Sequence, residues 1–221
     1  MSSALPLGLP TAAPAGYADL CLREPVQCPE EKTHAGLIAA AYAVPEAGHG
    51  LSPDRWKLLN AVNDAVNRKV RYESDEERFG KPDYWEPAVD AGDCEDYALA
   101  KRQMLWAAGW NPDELSLALV QSRETGPHAV LIANTAQGAY VLDSANGWVL
   151  PWSQTDYSWV TAQDADGQWR VAGPNAQAVM LAAATADRLK IIPAGAPVQK
   201  TVSLDSGRKV PDLGTLEPGG R

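Results

Sequence analysis

The ten residues Ala91-Gly-Asp-Cys-Glu-Asp-Tyr-Ala-Leu-Ala100 place a single cysteine between carboxylates, where a glycine-containing loop turns into a helix. Asp93 is a competent N-cap, and residues 95–106 are rich in good helix formers. Apolar residues recur there at helical spacing, so one helix face is expected to pack into a core. In the first turn, free amides and the helix dipole are expected to lower the pKa of the Cys94 thiol from about 8.5 toward neutrality.

The carboxylates beside Cys94 bear on whether this cysteine is reactive or structural. Most single cysteines are small buried hydrophobic residues. Asp93, Glu95 and Asp96 would repel one another at a helix start unless a cation or arginine side chains joined them. A structural cysteine has no need of such neighbours. Cys94 alone leaves both interpretations open, because signatures of catalytic cysteines are specific to each family.

Length, composition and charge exclude several classes of protein. The 221 residues fit one compact domain with extensions, and a hydrophobic content of 45% is enough for a core. A net charge of -9 disfavours nucleic acid and anionic membrane surfaces as partners. No apolar run reaches the roughly 18 residues of a membrane span. The opening residues also lack the basic region of an intact signal peptide.

Cysteine spacing favours one local disulfide. Cys21 and Cys28 lie in a loop-like segment around Pro25, whereas Cys94 stands alone in a helix signal. A local disulfide with one free thiol is therefore preferred to three reduced cysteines, and it would suit an oxidising compartment such as a periplasm.

Three regions are predicted from composition. Residues 1–35 form an N-terminal arm with the local disulfide, residues 36–193 form a catalytic domain, and residues 194–221 form a disordered tail rich in Pro, Gly and charge. Within the domain, a helix is expected to start at Ser52 and run to about Arg71.

Further elements are predicted around the cysteine helix. The charged residues 73–78 are most simply a solvated linker, and Trp85 is expected to fill the core rather than line a groove. A hairpin turning at residues 164–167 and a last helix over residues 175–192 follow. The β-rich strand segments are residues 115–121, 128–133, 139–144 and 148–152.

A base and its orienting group are predicted on two neighbouring strands. If a turn is centred on residues 134–137, His128 falls opposite Asp143 on one sheet face, where an imidazole can donate to a carboxylate. A slip of one residue would separate them. Asp143 would then fix the tautomer of His128, and His128 would take the proton of Cys94. Each residue alone is better explained as structural, but the combination favours catalysis.

These motifs carry a family resemblance. The run from Gly92 to Ala98, followed by His128-Ala-Val-Leu131 and Val141-Leu-Asp143, resembles the bacterial transglutaminase-like cysteine peptidases, which include LapG-type periplasmic proteases that release surface adhesins. The resemblance spans roughly residues 50–155 and includes residues 83–87. It implies an α+β papain-like fold, in which a helix that starts at the cysteine packs on an antiparallel sheet carrying the histidine and the aspartate.

The resemblance also implies a chemistry and a setting. The expected activity is that of a cysteine endopeptidase with the triad Cys94, His128 and Asp143, located in the periplasm and dependent on calcium. Asp93 and Glu95, together with Asp96, are the calcium candidates, and clustered carboxylates are ligands that calcium prefers. The implied partners are a protein or peptide substrate and a regulatory protein. Ser144-Ala145 after Asp143 departs from the family pattern and puts the adhesin substrate in question.

Two alternatives use the same scaffold. One is acyl transfer to an amine, as in transglutaminases, which the sequence does not distinguish from hydrolysis. The other is a non-catalytic, calcium-responsive binding module. Such a module would use tryptophan-rich loops as a recognition surface. The tryptophans concerned are Trp85, Trp148, Trp152 and Trp159.

Overall fold

One large antiparallel sheet with helices packed against it makes up the fold. The structure is a computed structural model that describes residues 3–28 and 50–176. Seven strands form the sheet in the order β1-β9-β8-β4-β5-β6-β7, and β2 pairs with β3 in a separate parallel ribbon. The strands are β1 Leu7–Pro10, β2 Arg71–Tyr72, β3 Ala91–Gly92, β4 Leu115–Ser122, β5 Gly126–Thr135, β6 Gly138–Leu142, β7 Leu150–Pro151, β8 Ser158–Gln163 and β9 Trp169–Ala172. The predicted α+β class is confirmed.

Four α-helices accompany the sheet in the described residues. They are α1 Ala15–Arg23, α2 Pro53–Lys69, α3 Asp75–Phe79 and α4 Cys94–Ala107. Ser52 caps α2 by accepting a hydrogen bond from the main-chain N–H of Arg55 at 3.2 Å, as its sequence position predicted. The helix predicted over residues 95–106 is also confirmed, and Cys94 is its first residue. None of these helices is long and apolar enough to cross a membrane.

Apolar side chains fill both faces of the sheet. On the helical side, Leu131 and Leu142 of the sheet pack with Leu59 of α2 and Leu99 of α4 in one cluster. Across the sheet, Val130, Ile132 and Val141 belong to a second cluster that Leu5 and Trp152 cover. Alternation of side chains along β5 therefore supplies both cores, because successive residues of a strand point to opposite faces.

The N-terminal residues are part of the sheet and core. β1 pairs with β9, and the ring of Tyr17 in α1 lies 5.4 Å from that of Trp169 and 5.6 Å from that of Trp85. Trp85 is 2% exposed, so its predicted place in the core is confirmed. A disulfide joins Cys21 and Cys28. The described part of the arm is thus packed against the domain that it precedes, because its apolar side chains complete the core.

Two predicted boundaries lie outside the described residues. The division at residue 35 falls between the two described ranges, and both the tail over residues 194–221 and nearly all of the helix predicted over residues 175–192 lie beyond residue 176. These stay predictions.

The predicted hairpin after β8 is confirmed: Asp164 and Gly167 close its turn with a main-chain hydrogen bond of 2.9 Å, and Gly167 adopts a φ of 79°.

The predicted register of β5 with β6 is wrong. β5 continues to Thr135, which pairs with Gly138 across a two-residue turn, so Leu131 pairs with Leu142. The Thr135 hydroxyl ties this tight turn by donating to the carbonyl of Gly138 at 2.9 Å. Extending this register sets Asp143 two residues from the position opposite His128. A shift of two keeps both side chains on one face as diagonal neighbours.

Candidate active site

The parallel ribbon of β2 and β3 places the loop before α4. Tyr72 pairs with Gly92, and the hydroxyl of Tyr97 in α4 donates to the carbonyl of Val70 at the end of α2. A side chain on Gly92 would meet Asp96 Oδ2 at 2.5 Å, so only glycine fits this approach. Asp93 occupies the N-cap position, but its side chain makes no capping hydrogen bond. These contacts fix Cys94 at the start of its helix.

His128 and Asp143 are hydrogen-bonded to each other. His128 Nε2 lies 2.7 Å from Asp143 Oδ1, and both residues are buried. Burial alone would raise the pKa of Asp143, but hydrogen bonds from His128 and Tyr157 outweigh it and hold that pKa below its usual value. The carboxylate is therefore the acceptor and Nε2–H the donor, which leaves Nδ1 as the second ring nitrogen.

Two asparagines of α2 hold the main chain of Asp143. Asn63 Oδ1 accepts from the N–H of Asp143 at 3.0 Å, and Asn67 Nδ2 donates to its carbonyl at 2.8 Å. Asn63 also donates to the carbonyl of Asn146 at 3.1 Å. The sequence prediction missed both residues. The available signal was a pair of polar side chains on the inner face of α2, beside the apolar stripe from which this helix was predicted.

Cys94 and His128 line the same pocket. This cavity of about 300 Å³ is bounded by Tyr72, Cys94, Tyr97, Thr125, Pro127, His128, Ser144 and Ala145. The main-chain N–H of Ala129, the residue after His128, lies close enough to the sulfur of Cys94 to lower its pKa. Cys94 is partly exposed and is the free cysteine of the described chain. Cys94 and His128 thus line one depression on the surface, and Asp143 is joined to it through its hydrogen bond with His128.

The predicted pKa of Cys94 is wrong in direction. Burial, followed by the negative charge of Glu95 and a hydrogen bond from the thiol to Glu95 Oε2 at 3.1 Å, raises the pKa of Cys94 well above its usual range. The N–H of Ala129 lowers it by a smaller amount. The effect of the helix start on this pKa is outweighed because the carboxylates that follow the cysteine are buried with it.

A group of carboxylates adjoins the cysteine, and Asp75, Glu95 and Asp96 within it are buried. Ligand oxygens of Asp75, Asp93 and Asp96 lie within 4.8 Å of one another, and so do those of Asp75, Asp83 and Glu95. The prediction that residues 73–78 form a solvated linker is wrong for Asp75, which is 1% exposed in α3. The capping-box pattern of Ser74 and Glu77 was the missed signal of that helix.

These carboxylates differ in how far the protein already satisfies them. Asp96 accepts from Arg78 Nη1 at 3.0 Å and from the main-chain N–H of Glu86 at 2.9 Å. By contrast, Asp75 Oδ1 and Asp93 Oδ1 are buried with no hydrogen-bond partner in the described structure. A buried carboxylate oxygen without a partner destabilises the folded state unless a proton or a cation binds to it.

Burial and mutual repulsion disturb the ionisation of this group. Burial, followed by the charge of Asp93, raises the pKa of Glu95 to about 9. Burial also raises the pKa of Asp96 to about 8, although its hydrogen bond from Glu86 acts in the opposite direction. The donor set fits a hard divalent cation such as calcium, since calcium takes oxygen ligands and would offset the repulsion.

The tryptophans proposed as a recognition surface do not form one face. Trp85 and Trp152 are buried in separate cores, whereas Trp148 is 74% exposed. Trp159 packs against Trp152 at 6.0 Å between ring centroids. Most of these rings are therefore explained by packing.

Sequence comparison assigns the family. A family model for bacterial transglutaminase-like cysteine proteinases matches residues 7–175. The chain belongs to this family. This proteinase is therefore a cysteine peptidase rather than a non-catalytic module. A comparison with curated protein sequences finds no match.

Solved structures of LapG from Legionella pneumophila are similar to this proteinase. The calcium-bound form is 26% identical with a TM-score of 0.46, over 64% of this chain and 80% of that chain. The EGTA-treated form is 24% identical with a TM-score of 0.46, over 81% of this chain and 99% of that chain.

Proposed function

We propose that this cysteine peptidase hydrolyses a peptide bond of a protein substrate with Cys94 as nucleophile, His128 as base and Asp143 as orienter. The observation that carries the proposal is the bond of 2.7 Å between His128 and Asp143 beside a pocket that Cys94 also lines. Nucleophile, base and orienting carboxylate in this order are the working parts of a covalent hydrolase.

The proposed reaction has two halves. His128 takes the thiol proton, the sulfur of Cys94 attacks the scissile carbonyl, and His128 returns the proton to the departing amine, leaving a thioester on Cys94. Water then gives a proton to His128 and attacks the thioester, which frees the acid and restores the thiol. The main-chain N–H of Cys94 lies in the first helical turn, where it has no intrahelical acceptor, and is one oxyanion donor.

Calcium binding is the second part of the proposal. Asp93, Glu95 and Asp96 would hold the ion together with Asp75. The ligand oxygen of Asp75 lies within 4.8 Å of those of Asp93 and Asp96, and also of those of Asp83 and Glu95. A bound divalent cation would supply positive charge that offsets the carboxylates beside the thiol. The buried and unpartnered oxygens of Asp75 and Asp93 support this site.

A periplasmic location and two kinds of partner complete the proposal. The disulfide between Cys21 and Cys28 supports an oxidising compartment. The partners are a protein substrate, which the peptidase family implies, and a regulatory protein. No feature of the described structure favours an amine over water as the acyl acceptor, so hydrolysis is the function proposed.

Alkylation and cleavage by Cys94 variants test the proposal. With calcium present to offset the carboxylates beside the thiol, wild type is expected to take one carbamidomethyl group from iodoacetamide and to cleave members of a peptide library, with products that carry a new carboxylate. Cys94→Ala should lose both reactions and keep its circular dichroism spectrum, because the side chain is small and partly exposed. Cleavage by Cys94→Ala would refute the nucleophile, and products joined to an added amine would replace hydrolysis by acyl transfer.

A further inference from the structure

The carboxylate of Asp143 has a second strong donor on the side away from His128. The hydroxyl of Tyr157 donates to Asp143 Oδ2, while Oδ1 receives Nε2–H of His128 and the main-chain N–H of Ala145, the latter at 2.8 Å. Both oxygens of Asp143 are thus engaged, and its plane is fixed by donors from two directions.

Tyr157 is held by a different part of the sheet from the residues that it joins. It precedes β8, and β4 lies between β8 and the hairpin of β5 and β6 that carries His128 and Asp143. Its ring also lies 5.9 Å from that of His128, at an angle of 57°. Tyr157 therefore contacts both members of the hydrogen-bonded pair from an independent anchor.

The phenol keeps its proton and acts as the donor. Burial, followed by the hydrogen bond and the charge of Asp143, raises the pKa of Tyr157 well above its usual range. A tyrosine that donates to an ionised carboxylate makes a charge-assisted hydrogen bond, which is stronger than one between neutral groups.

We propose that Tyr157 is a positioning residue of the proposed peptidase: its hydroxyl holds the Asp143 carboxylate in the plane in which it orients the imidazole of His128 toward Cys94. The inference rests on the function proposed above. Tyr157 acts through Asp143 and His128 and does not touch the reacting atoms.

Tyr157→Phe isolates the hydroxyl, because the ring and its contact with His128 remain. The matched control is Tyr140→Phe in β6, whose ring packs on Trp56 at 5.4 Å and whose hydroxyl makes no hydrogen bond within the described residues. The probe substrate is p-nitrophenyl acetate, which reports acylation of Cys94 without requiring the natural substrate.

The kinetic readout is the division between kcat and KM. Tyr157→Phe is expected to lower kcat roughly tenfold, in line with the loss of a hydrogen bond to a charged group, and to change KM less than about twofold. Tyr140→Phe should match wild type in both constants. An increase in KM with kcat unchanged would overturn the proposal, as would equal kcat values for both variants and wild type.

A proton NMR signal gives a readout that does not need catalysis. The Nε2 proton of His128 is expected to resonate far downfield because it is bonded to a carboxylate. In a Cys94→Ala background, Tyr157→Phe should move or broaden this signal, whereas Tyr140→Phe should leave it in place. A signal that Tyr157→Phe shifts, found together with a wild-type protein that does not hydrolyse the ester, would refute the peptidase proposal alone. A signal that Tyr157→Phe leaves unchanged would refute the role of Tyr157.

Discussion

At the scale of single residues, the ionisation of Cys94 depends on side chains that a helix-start argument does not include. The helix start was predicted to lower its pKa, but burial and Glu95 raise it. Glu95, the residue that follows Cys94, accepts a hydrogen bond from its thiol at 3.1 Å. The charged neighbours of Cys94 were visible in the sequence and made it a candidate nucleophile, but the sequence could not show that they are buried with it.

Lys101 of α4 is a buried amine whose titration makes the free energy of unfolding depend on pH. Its amine is fully buried and has no hydrogen-bond partner in the described structure. Burial lowers the pKa of Lys101 to about 7, although the charge of Asp143 acts to raise it. Between that pH and the usual value of 10.5, the unfolded chain holds a proton at this amine that the folded chain lacks, so the free energy of unfolding rises with pH.

Lys101→Met keeps the aliphatic stem and removes this titration. At pH 7 the variant is expected to be more stable than wild type, and its advantage should shrink by about 1.4 kcal/mol per pH unit as pH rises, because neutral Lys101 carries no desolvation cost. Urea unfolding of both proteins at two pH values between 7 and 10.5 measures the difference. A stability difference that does not change with pH would contradict the expectation.

At the scale of elements, local patterns located α2, α4 and β4 to β9, but they missed α1, α3 and β1 to β3 and gave the wrong register for β5 with β6. Ser52 and the stripe after it identified α2, and β-rich segments identified β4 to β6. The register of β5 with β6 was wrong because the Thr135 hydroxyl supports a tighter turn than the sequence suggested. His128 and Asp143 still meet, since the error was two residues and preserved the face. α3 was missed because its capping-box pattern was not used, whereas the burial of Asp75 depends on tertiary neighbours and could not be predicted.

Asp75 of α3 allows a direct test of the proposed calcium site. Calcium chloride is expected to raise the Tm of wild type relative to EGTA, because a ligand that binds only the folded state stabilises it. Asp75→Asn keeps an acceptor for the main-chain N–H of Tyr84 but removes one negative ligand, so this rise in Tm should be lost. In EGTA the variant should be at least as stable as wild type, because burial raises the pKa of Asp75 and its charge lies close to that of Asp93.

The matched control for Asp75 is the exposed neighbour on the same helix. Glu76→Gln removes the same charge from the surface and should retain the full calcium-dependent rise in Tm. Differential scanning calorimetry of the three proteins in both buffers makes the comparison. An undiminished calcium response in Asp75→Asn would exclude Asp75 from the site.

At the scale of the whole molecule, the N-terminal segment supports the helix that begins at Cys94. Arg102 of α4 is fully buried, and its Nη2 donates to the carbonyl of Gln27 at 2.6 Å. Gln27 lies inside the loop that the bond between Cys21 and Cys28 closes. Composition predicted an arm separate from the catalytic domain. Its contribution to the sheet and core could not be read from local sequence, because the partners of β1 and Tyr17 lie more than sixty residues away.

Removal of the disulfide tests this support. The double variant Cys21→Ser with Cys28→Ser is expected to lose about 2–3 kcal/mol of unfolding free energy, since the seven-residue separation closes a short loop. Urea unfolding measures the loss, and Cys94→Ser is the control for replacing a sulfur that forms no disulfide. A double variant as stable as wild type would show that packing alone fixes the loop.

The position of α2 has a consequence for how the site keeps its dimensions. At its C-terminal end, the carbonyl of Val70 accepts a hydrogen bond from the hydroxyl of Tyr97 in the first turn of α4. Asn63 and Asn67 form hydrogen bonds with the main chain of Asp143. One helix thus contacts both the helix that begins at Cys94 and the main chain of Asp143, which is hydrogen-bonded to His128. A substitution that shifts α2 would therefore be expected to move both halves of the proposed site, although α2 itself contributes none of its three residues.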